Sequence, residues 1–174
     1  MRVLAYLFYT QDMGLEYHGQ SDIVGYADAA FADDKDTLHS TMGYTFLLNG
    51  CAVSWSSRKQ RHIATSTVEA EYVAFHEAAK EAMKLQQLLH EMTGRTGPII
   101  INCDSTGCIA NLKNPLSSSY VKHVDARYKA SREMVGDLKI VPQYISTDEN
   151  ISDVFTKPLA NAKFSKFIAG LGMT

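Results

Sequence analysis

Tyr44-Thr45-Phe46-Leu47-Leu48-Asn49-Gly50-Cys51-Ala52-Val53-Ser54-Trp55-Ser56 is the stretch that decides the fold. Two apolar, strand-forming runs flank an Asn-Gly pair. A tight two-residue hairpin turn needs positive φ at both central positions, which Asn and Gly adopt at least cost. The stretch therefore predicts antiparallel strands over 44–48 and 51–56. Upstream, Ile23 to Ala29 reads as another strand, closed by the polar turn Asp33-Asp34-Lys35-Asp36. Three strands in meander order follow from this, with Trp55 expected inside the hairpin core.

Downstream the period changes. Residues 67–92 contain no Gly or Pro and are rich in Ala, Glu, Lys, Gln, Leu and Met, so they predict one long helix ending at Gly94. Ile99 to Cys103 is a short apolar run after Gly97-Pro98, typical of a buried strand. A short helix over 105–112 is stopped by Asn114-Pro115, a further helix over 121–135 ends at Gly136, and a last strand spans 138–145. Pro142 inside that strand places it at a sheet edge. Short helices over 151–155 and 162–168 complete the chain. This order describes an α/β protein, a mixed sheet with helices packed on it.

Composition is that of an ordinary globular domain: 174 residues, 45% hydrophobic and 21% charged. No apolar run approaches the roughly 20 residues of a membrane span, and the apolar start at 3–9 lacks the basic region and cleavage site of a secretion signal. An intracellular setting is expected. Three cysteines without a C-x-x-C pair suggest buried thiols rather than a zinc site or disulfide framework. The net charge of −2 does not announce a nucleic-acid binder. The basic residues are nevertheless clustered: Arg58, Lys59, Arg61 and His62; Lys122, His123, Arg127, Lys129 and Arg132; and Lys157, Lys163 and Lys166.

Four acids stand at unusual places. Asp28 lies inside the first strand, on the alternating face with Val24 and Tyr26, where a carboxylate is costly unless paired or bound to metal. Asp104 follows the apolar run 99–103, at a strand's carboxyl end, where α/β sheets place their ligands. Glu71 begins the helical stripe Phe75, Ala78, Ala82, Leu85, Leu89, Met92 and so aims at the sheet. Glu69 lies roughly 200° away around the helix, on the side of His76 and Lys80, and suits a helix-start acid. Asp153 sits in the first turn of a short helix, where the dipole alone would also favour it. Oxygen ligands converging from separate elements are what Mg²⁺ requires.

Gly25-Tyr26-Ala27-Asp28-Ala29, Asp34-Lys35-Asp36-Thr37, Ser40-Thr41-Met42-Gly43-Tyr44, Ser54-Trp55-Ser56-Ser57-Arg58-Lys59-Gln60, Glu69-Ala70-Glu71-Tyr72, Cys103-Asp104-Ser105, Lys122-His123-Val124-Asp125-Ala126-Arg127-Tyr128 and Asp153-Val154-Phe155-Thr156-Lys157-Pro158-Leu159 stand in this order. Together they resemble the ribonuclease H domain of a copia-type LTR-retrotransposon polyprotein, from about Ser21 to the C-terminus. Residues 1–20 resemble the tail of the preceding reverse transcriptase region. The resemblance implies a ribonuclease H-like fold over 21–174, with a five-stranded mixed sheet of three antiparallel strands and two more. It implies that Asp28, Glu71, Asp104 and Asp153 hold two Mg²⁺ or Mn²⁺ ions that hydrolyse the RNA strand of an RNA/DNA hybrid. The partners implied are the hybrid and the reverse transcriptase portion of the same polyprotein, in the cytoplasm or in virus-like particles. Arg58, Lys59 and Arg61, which lead into the Glu71 helix, and Lys122 and Arg127 are the expected phosphate contacts.

The chain departs from the family pattern in two places. The loop 145–150 carries no His before the last Asp, where cellular ribonucleases H usually have one, and Ala30 and Phe31 stand where the copia-type motif has a second acid and a Trp. A catalytically weak or inactive remnant that binds nucleic acid or protein is therefore the alternative. A resolvase or integrase core is disfavoured by the blocks at Glu69 and Asp153.

Overall fold

In the computed structural model, which describes residues 2–17, 22–114 and 126–174, the Asn49-Gly50 turn joins β2 (Thr41–Leu48) to β3 (Cys51–Lys59). Asn49 has φ 53° and Gly50 φ 78°, the two positive values such a turn demands. Both strands run further than the apolar pattern alone predicts. Their ladder continues from Leu48↔Cys51 to Thr41↔Lys59, with one irregularity at Phe46/Leu47. Arg58 and Lys59 therefore lie on a strand rather than in the approach to the long helix.

β1 (Val24–Ala30) pairs antiparallel with β2 and parallel with β4 (Ile99–Cys103), which in turn pairs parallel with β5 (Ile140–Tyr144). The five-stranded order is β3-β2-β1-β4-β5, so β5 forms an edge, as Pro142 predicts. α2 (Thr67–Thr93) crosses one face of the sheet. Its start is fixed by Ser66, whose hydroxyl accepts the Glu69 N–H at 3.1 Å. The Glu69 carboxylate in turn takes the Thr65 N–H (2.7 Å) and hydroxyl (2.6 Å), the helix-start role expected of it. Its end is fixed by Gly94, left-handed at φ 70°.

The main core lies between α2 and the sheet, where Tyr72, Phe75, Ala78, Ala79 and Ala82 meet Ala27, Phe46 and Ile101. Gly25 makes this possible, because a Cβ there would stand 2.5 Å from the Phe46 ring. α3 (Thr106–Lys113) and α4 (Ala126–Gly136) flank α2. Ser131 of α4 bonds the buried His76 ring at 2.8 Å, so the His76 side of α2 packs inward rather than facing water. Met92, expected to end the buried stripe, is 72% exposed because the helix has outrun the sheet.

A second, smaller core covers the opposite face. The 3₁₀ segment Ile151–Phe155 and α5 (Asn161–Gly170) place Ile151, Phe167 and Leu171 on Ala52. Trp55 departs from expectation: it is 55% exposed and lines an apolar groove of about 550 Å³ with Phe155 and Phe164. Its strand position points away from α2, and the second layer is too short to cover it. The three cysteines are free and buried, as expected.

The N-terminal segment forms α1 (Arg2–Tyr9), then runs beside the chain's other end. Leu15 bridges Met173, and Gly14 and Thr174 exchange backbone hydrogen bonds at 2.9 and 3.0 Å. Among the described residues, no helix is long and apolar enough to cross a membrane.

Candidate metal centre

The parallel register of β1 and β4 begins the site. Tyr26 pairs with Asn102. Asp28 and Asp104 each lie two residues further on, at the carboxyl ends of neighbouring strands spaced about 4.8 Å apart. Asp153 arrives from the other layer, held by Asn150. The Asn150 amide donates to the Ala27 carbonyl at 3.0 Å, while its oxygen accepts the Ser152 hydroxyl at 2.6 Å. The 3₁₀ segment is thereby pinned to β1 one residue from Asp28. Gly43, opposite Asp28 in the ladder, completes the fit: a Cβ there would meet Phe155 Cβ at 2.7 Å.

Ligand atoms of Asp28, Asp104 and Asp153 all lie within 4.8 Å of one another, and those of Glu71, Cys103 and Asp104 form a second such group. The four acids singled out in the sequence thus meet at one place, with Asp104 common to both groups. Asp28 is 1% exposed and Asp153 fully buried. The Thr156 hydroxyl donates to Asp28 Oδ2, and the Thr147 hydroxyl donates to Asp104 Oδ2 at 2.7 Å.

Gathering acids away from water has an electrostatic consequence. Burial raises the Asp28 carboxyl to about 6; the Thr156 hydroxyl and Lys157 oppose the rise, and Asp153 and Asp104 add to it. Glu71 is pushed up to about 10, first by burial and then by Asp28, Cys103 and Asp104, against one backbone N–H from Ala29. The Cys108 thiol is raised by its contact with Cys103 and by burial, which leaves it an inert neighbour.

Two lysines that the sequence reading did not select as site residues complete the centre. Lys157 Nζ lies 2.8 Å from Asp153 Oδ1 and 3.7 Å from Asp28 Oδ2, and Lys163 Nζ lies 3.0 Å from Asp153 Oδ2. Burial works against the charge of both ammoniums, but the Asp153 contact and the neighbouring acids raise them overall. The available signal was spacing, since Lys157 is one helical turn beyond Asp153.

The donor set fits a hard divalent cation. Glu71 Oε2 is buried and accepts no hydrogen bond among the described residues, and the buried Asp153 oxygens are met by the ammoniums of Lys157 and Lys163. Buried acceptors without donors are costly, and Mg²⁺ or Mn²⁺ prefers such oxygens. Asp28, Asp104 and Asp153 would hold one ion, with Glu71 beside Asp104.

Of the expected phosphate contacts, Arg58, Lys59, Arg61 and Arg127 line one groove of about 460 Å³ together with His62, Glu77 and Lys80. Arg58 pairs with Glu77 at 3.4 Å, and Lys59 with Asp33 at 3.2 Å and Asp34 at 3.5 Å. Met42, which also lines the groove, pairs with both Arg58 and Ala29, which sets Arg58 two strands, about 10 Å, from Asp28's neighbour. Lys122 and His123 lie outside the described residues.

No protein-family model matches the chain. It is 39% identical over 163 residues to the retrovirus-related Pol polyprotein from transposon TNT 1-94 of Nicotiana tabacum, covering 93% of this chain and 12% of that polyprotein. It is 35% identical over 178 residues to the Pol polyprotein from transposon RE1 of Arabidopsis thaliana, covering 99% and 12%. The chain thus spans about an eighth of these relatives. Among solved structures, the N-terminal RNase H domain of a Mycobacterium tuberculosis protein superimposes with a TM-score of 0.55 at 14% identity, covering 84% of this chain and 96% of that one. LC11-RNase H1, solved in complex with RNA/DNA hybrid, gives a TM-score of 0.53 at 16% identity, covering 78% and 94%.

Proposed function

The chain is a homologue of the copia-type, retrovirus-related Pol polyproteins and carries the ribonuclease H fold, and from that premise we propose that it hydrolyses the RNA strand of RNA/DNA hybrids with Mg²⁺ or Mn²⁺. The observation that carries this reading is the meeting of Asp28, Asp104 and Asp153 from three separate elements within 4.8 Å. The buried Glu71 Oε2, which has no hydrogen-bond partner among the described residues, supports it.

In this reading Asp28, Glu71, Asp104 and Asp153 hold two ions, which when bound supply an activated water and charge stabilisation at the leaving oxygen. Thr156 and Thr147 orient the Asp28 and Asp104 carboxylates through their hydroxyls. Arg58, Lys59, Arg61 and Arg127 track phosphates of the hybrid along their groove. The ion pairs of Arg58 and Lys59 are surface pairs of small net worth, so phosphates can replace Glu77, Asp33 and Asp34. Residues 1–20 are then the end of the reverse transcriptase region and 21–174 the hydrolytic domain, with that region as covalent partner.

Cleavage of an RNA-labelled hybrid with Mg²⁺ or Mn²⁺, beside Asp104→Asn, tests this. Metal-dependent cutting lost in the variant is expected; cutting unaffected by the variant contradicts the site. A second reading, a catalytically weak remnant that binds hybrid or protein, is favoured by one observation. Lys157 and Lys163 already place positive charge on both Asp153 oxygens. Stoichiometric hybrid binding without cutting in metal would select it.

A further inference from the structure

The same lysines point to a role of their own. Resting on the reading of the four acids as a metal centre, we propose that Lys157 is a built-in counter-cation that holds the place of the divalent ion in the metal-free protein and must leave for the ion to bind.

Its ammonium reaches two of the three carboxylates of the Asp28, Asp104 and Asp153 group, Asp153 at 2.8 Å and Asp28 at 3.7 Å. These carboxylates are almost wholly buried, whereas the lysine side chain is 36% exposed. An ammonium is a compact point charge on a flexible stem. It can therefore neutralise the pair from inside and still swing to water. A divalent ion and the ammonium need the same oxygens, so binding becomes an exchange: two carboxylates release one ammonium and take one ion.

Lys163 is less suited to this role. Its ammonium also contacts the Thr147 carbonyl at 3.0 Å and Asp148 at 3.4 Å, which tie it to the loop before the 3₁₀ segment. Lys157 has no such second anchor among its ion pairs. Exchange explains how Asp28 and Asp153 coexist as neighbours in a folded, metal-free protein. It also sets a cost on metal affinity that favours turnover of the ion over permanent residence.

The test is Mn²⁺ binding to the full chain by titration calorimetry, for wild type, Lys157→Met, Lys157→Gln and Lys166→Met. Both Lys157 variants are expected to bind Mn²⁺ at least about tenfold more tightly, a difference of about 1.4 kcal/mol. Lys166→Met, which removes a nearby charge that contacts only the Asp148 carbonyl among its hydrogen bonds, should bind within about twofold of wild type if bulk charge is unimportant. A second readout is melting: in chelator the Lys157 variants should melt below wild type, and Mn²⁺ should raise them by more than it raises wild type. Folded Lys157 variants whose Mn²⁺ affinity is unchanged or weaker overturn the exchange, and weaker affinity would make Lys157 an organiser of the acids. Equal tightening in Lys166→Met also overturns it, since the effect would then be general charge. If neither wild type nor the Lys157 variants bind Mn²⁺ up to millimolar levels, the metal-centre reading itself fails, and the exchange with it.

Discussion

Glu71→Gln should stabilise the metal-free protein, although it alters a buried polar residue on the core helix. The folded chain holds the Glu71 proton up to pH of about 10, whereas an ordinary glutamate loses it near 4.5. Between those values the folded state binds more protons than the unfolded state, so stability falls as pH rises. Glutamine keeps the volume and the neutral form, and has no proton to lose. At pH 7 roughly 2.5 pH units separate the solution from the ordinary value, and at about 1.36 kcal/mol per unit the substitution gains up to about 3 kcal/mol. In a chain of this size each kcal/mol is worth about 2–4 °C, so melting should rise by up to about 10 °C. The assay is thermal unfolding in chelator from pH 4.5 to 9, both proteins side by side. The gain should be near zero at pH 4.5 and grow with pH, while added Mn²⁺ should raise wild type by more than it raises the variant. A variant less stable than wild type at pH 7, or a difference that ignores pH, would refute the electrostatic account of Glu71.

Asp28, raised to about 6 from 3.8, has the same sign. As pH climbs from about 4 to 6 its ionisation should cost metal-free wild type about 3 kcal/mol at most, added to the loss from Glu71, and the Mn²⁺-induced rise in melting temperature should grow across that window. Gly43→Ala places a Cβ against Phe155 and should cost about 1–3 kcal/mol; it should also weaken Mn²⁺ binding, because the Asp153 segment must back away from the sheet. Ser66→Ala removes the α2 cap and should cost about 1 kcal/mol in chemical denaturation with Mn²⁺ affinity unchanged. Arg61→Ala should weaken hybrid binding regardless of sequence and reduce the slope of log affinity against log salt by about 1, measured by fluorescence anisotropy.

The elements most visible in the sequence were those with local physical causes. Asn49-Gly50 determined the hairpin, Gly94 the end of α2, and Pro142 the edge strand, because each acts through its own backbone geometry. Asp28 and Glu71 were legible as acids at positions that strand and helix periodicity single out, and Asp104 as an acid at a strand's carboxyl end. Asp153 was the weakest of the four on position alone, since a helix-start acid explains it equally well; only its packing under Asn150 distinguishes it. What the pattern could not show depended on the second layer. Trp55 looked like core because the hairpin is apolar, but the 3₁₀ segment and α5 are too short to cover it. Arg58 and Lys59 looked like loop residues because polar side chains hid the continuation of β3. Lys157 was visible as part of a motif and by its spacing from Asp153, but its second partner, Asp28, is 129 residues away in sequence.

The most direct measurement is strand choice. An RNA/DNA hybrid labelled on both strands, incubated with the protein in Mn²⁺ and separately in chelator, reports metal dependence and substrate class together, with Asp28→Asn, Asp104→Asn and Asp153→Asn alongside. Cutting of the RNA strand alone is expected, dependent on metal, and slowed by at least about 100-fold in each variant, because the metal contribution is several kcal/mol. Cutting of both strands alike, cutting in chelator, or a folded, Mn²⁺-binding protein that cuts neither strand would contradict the proposed function.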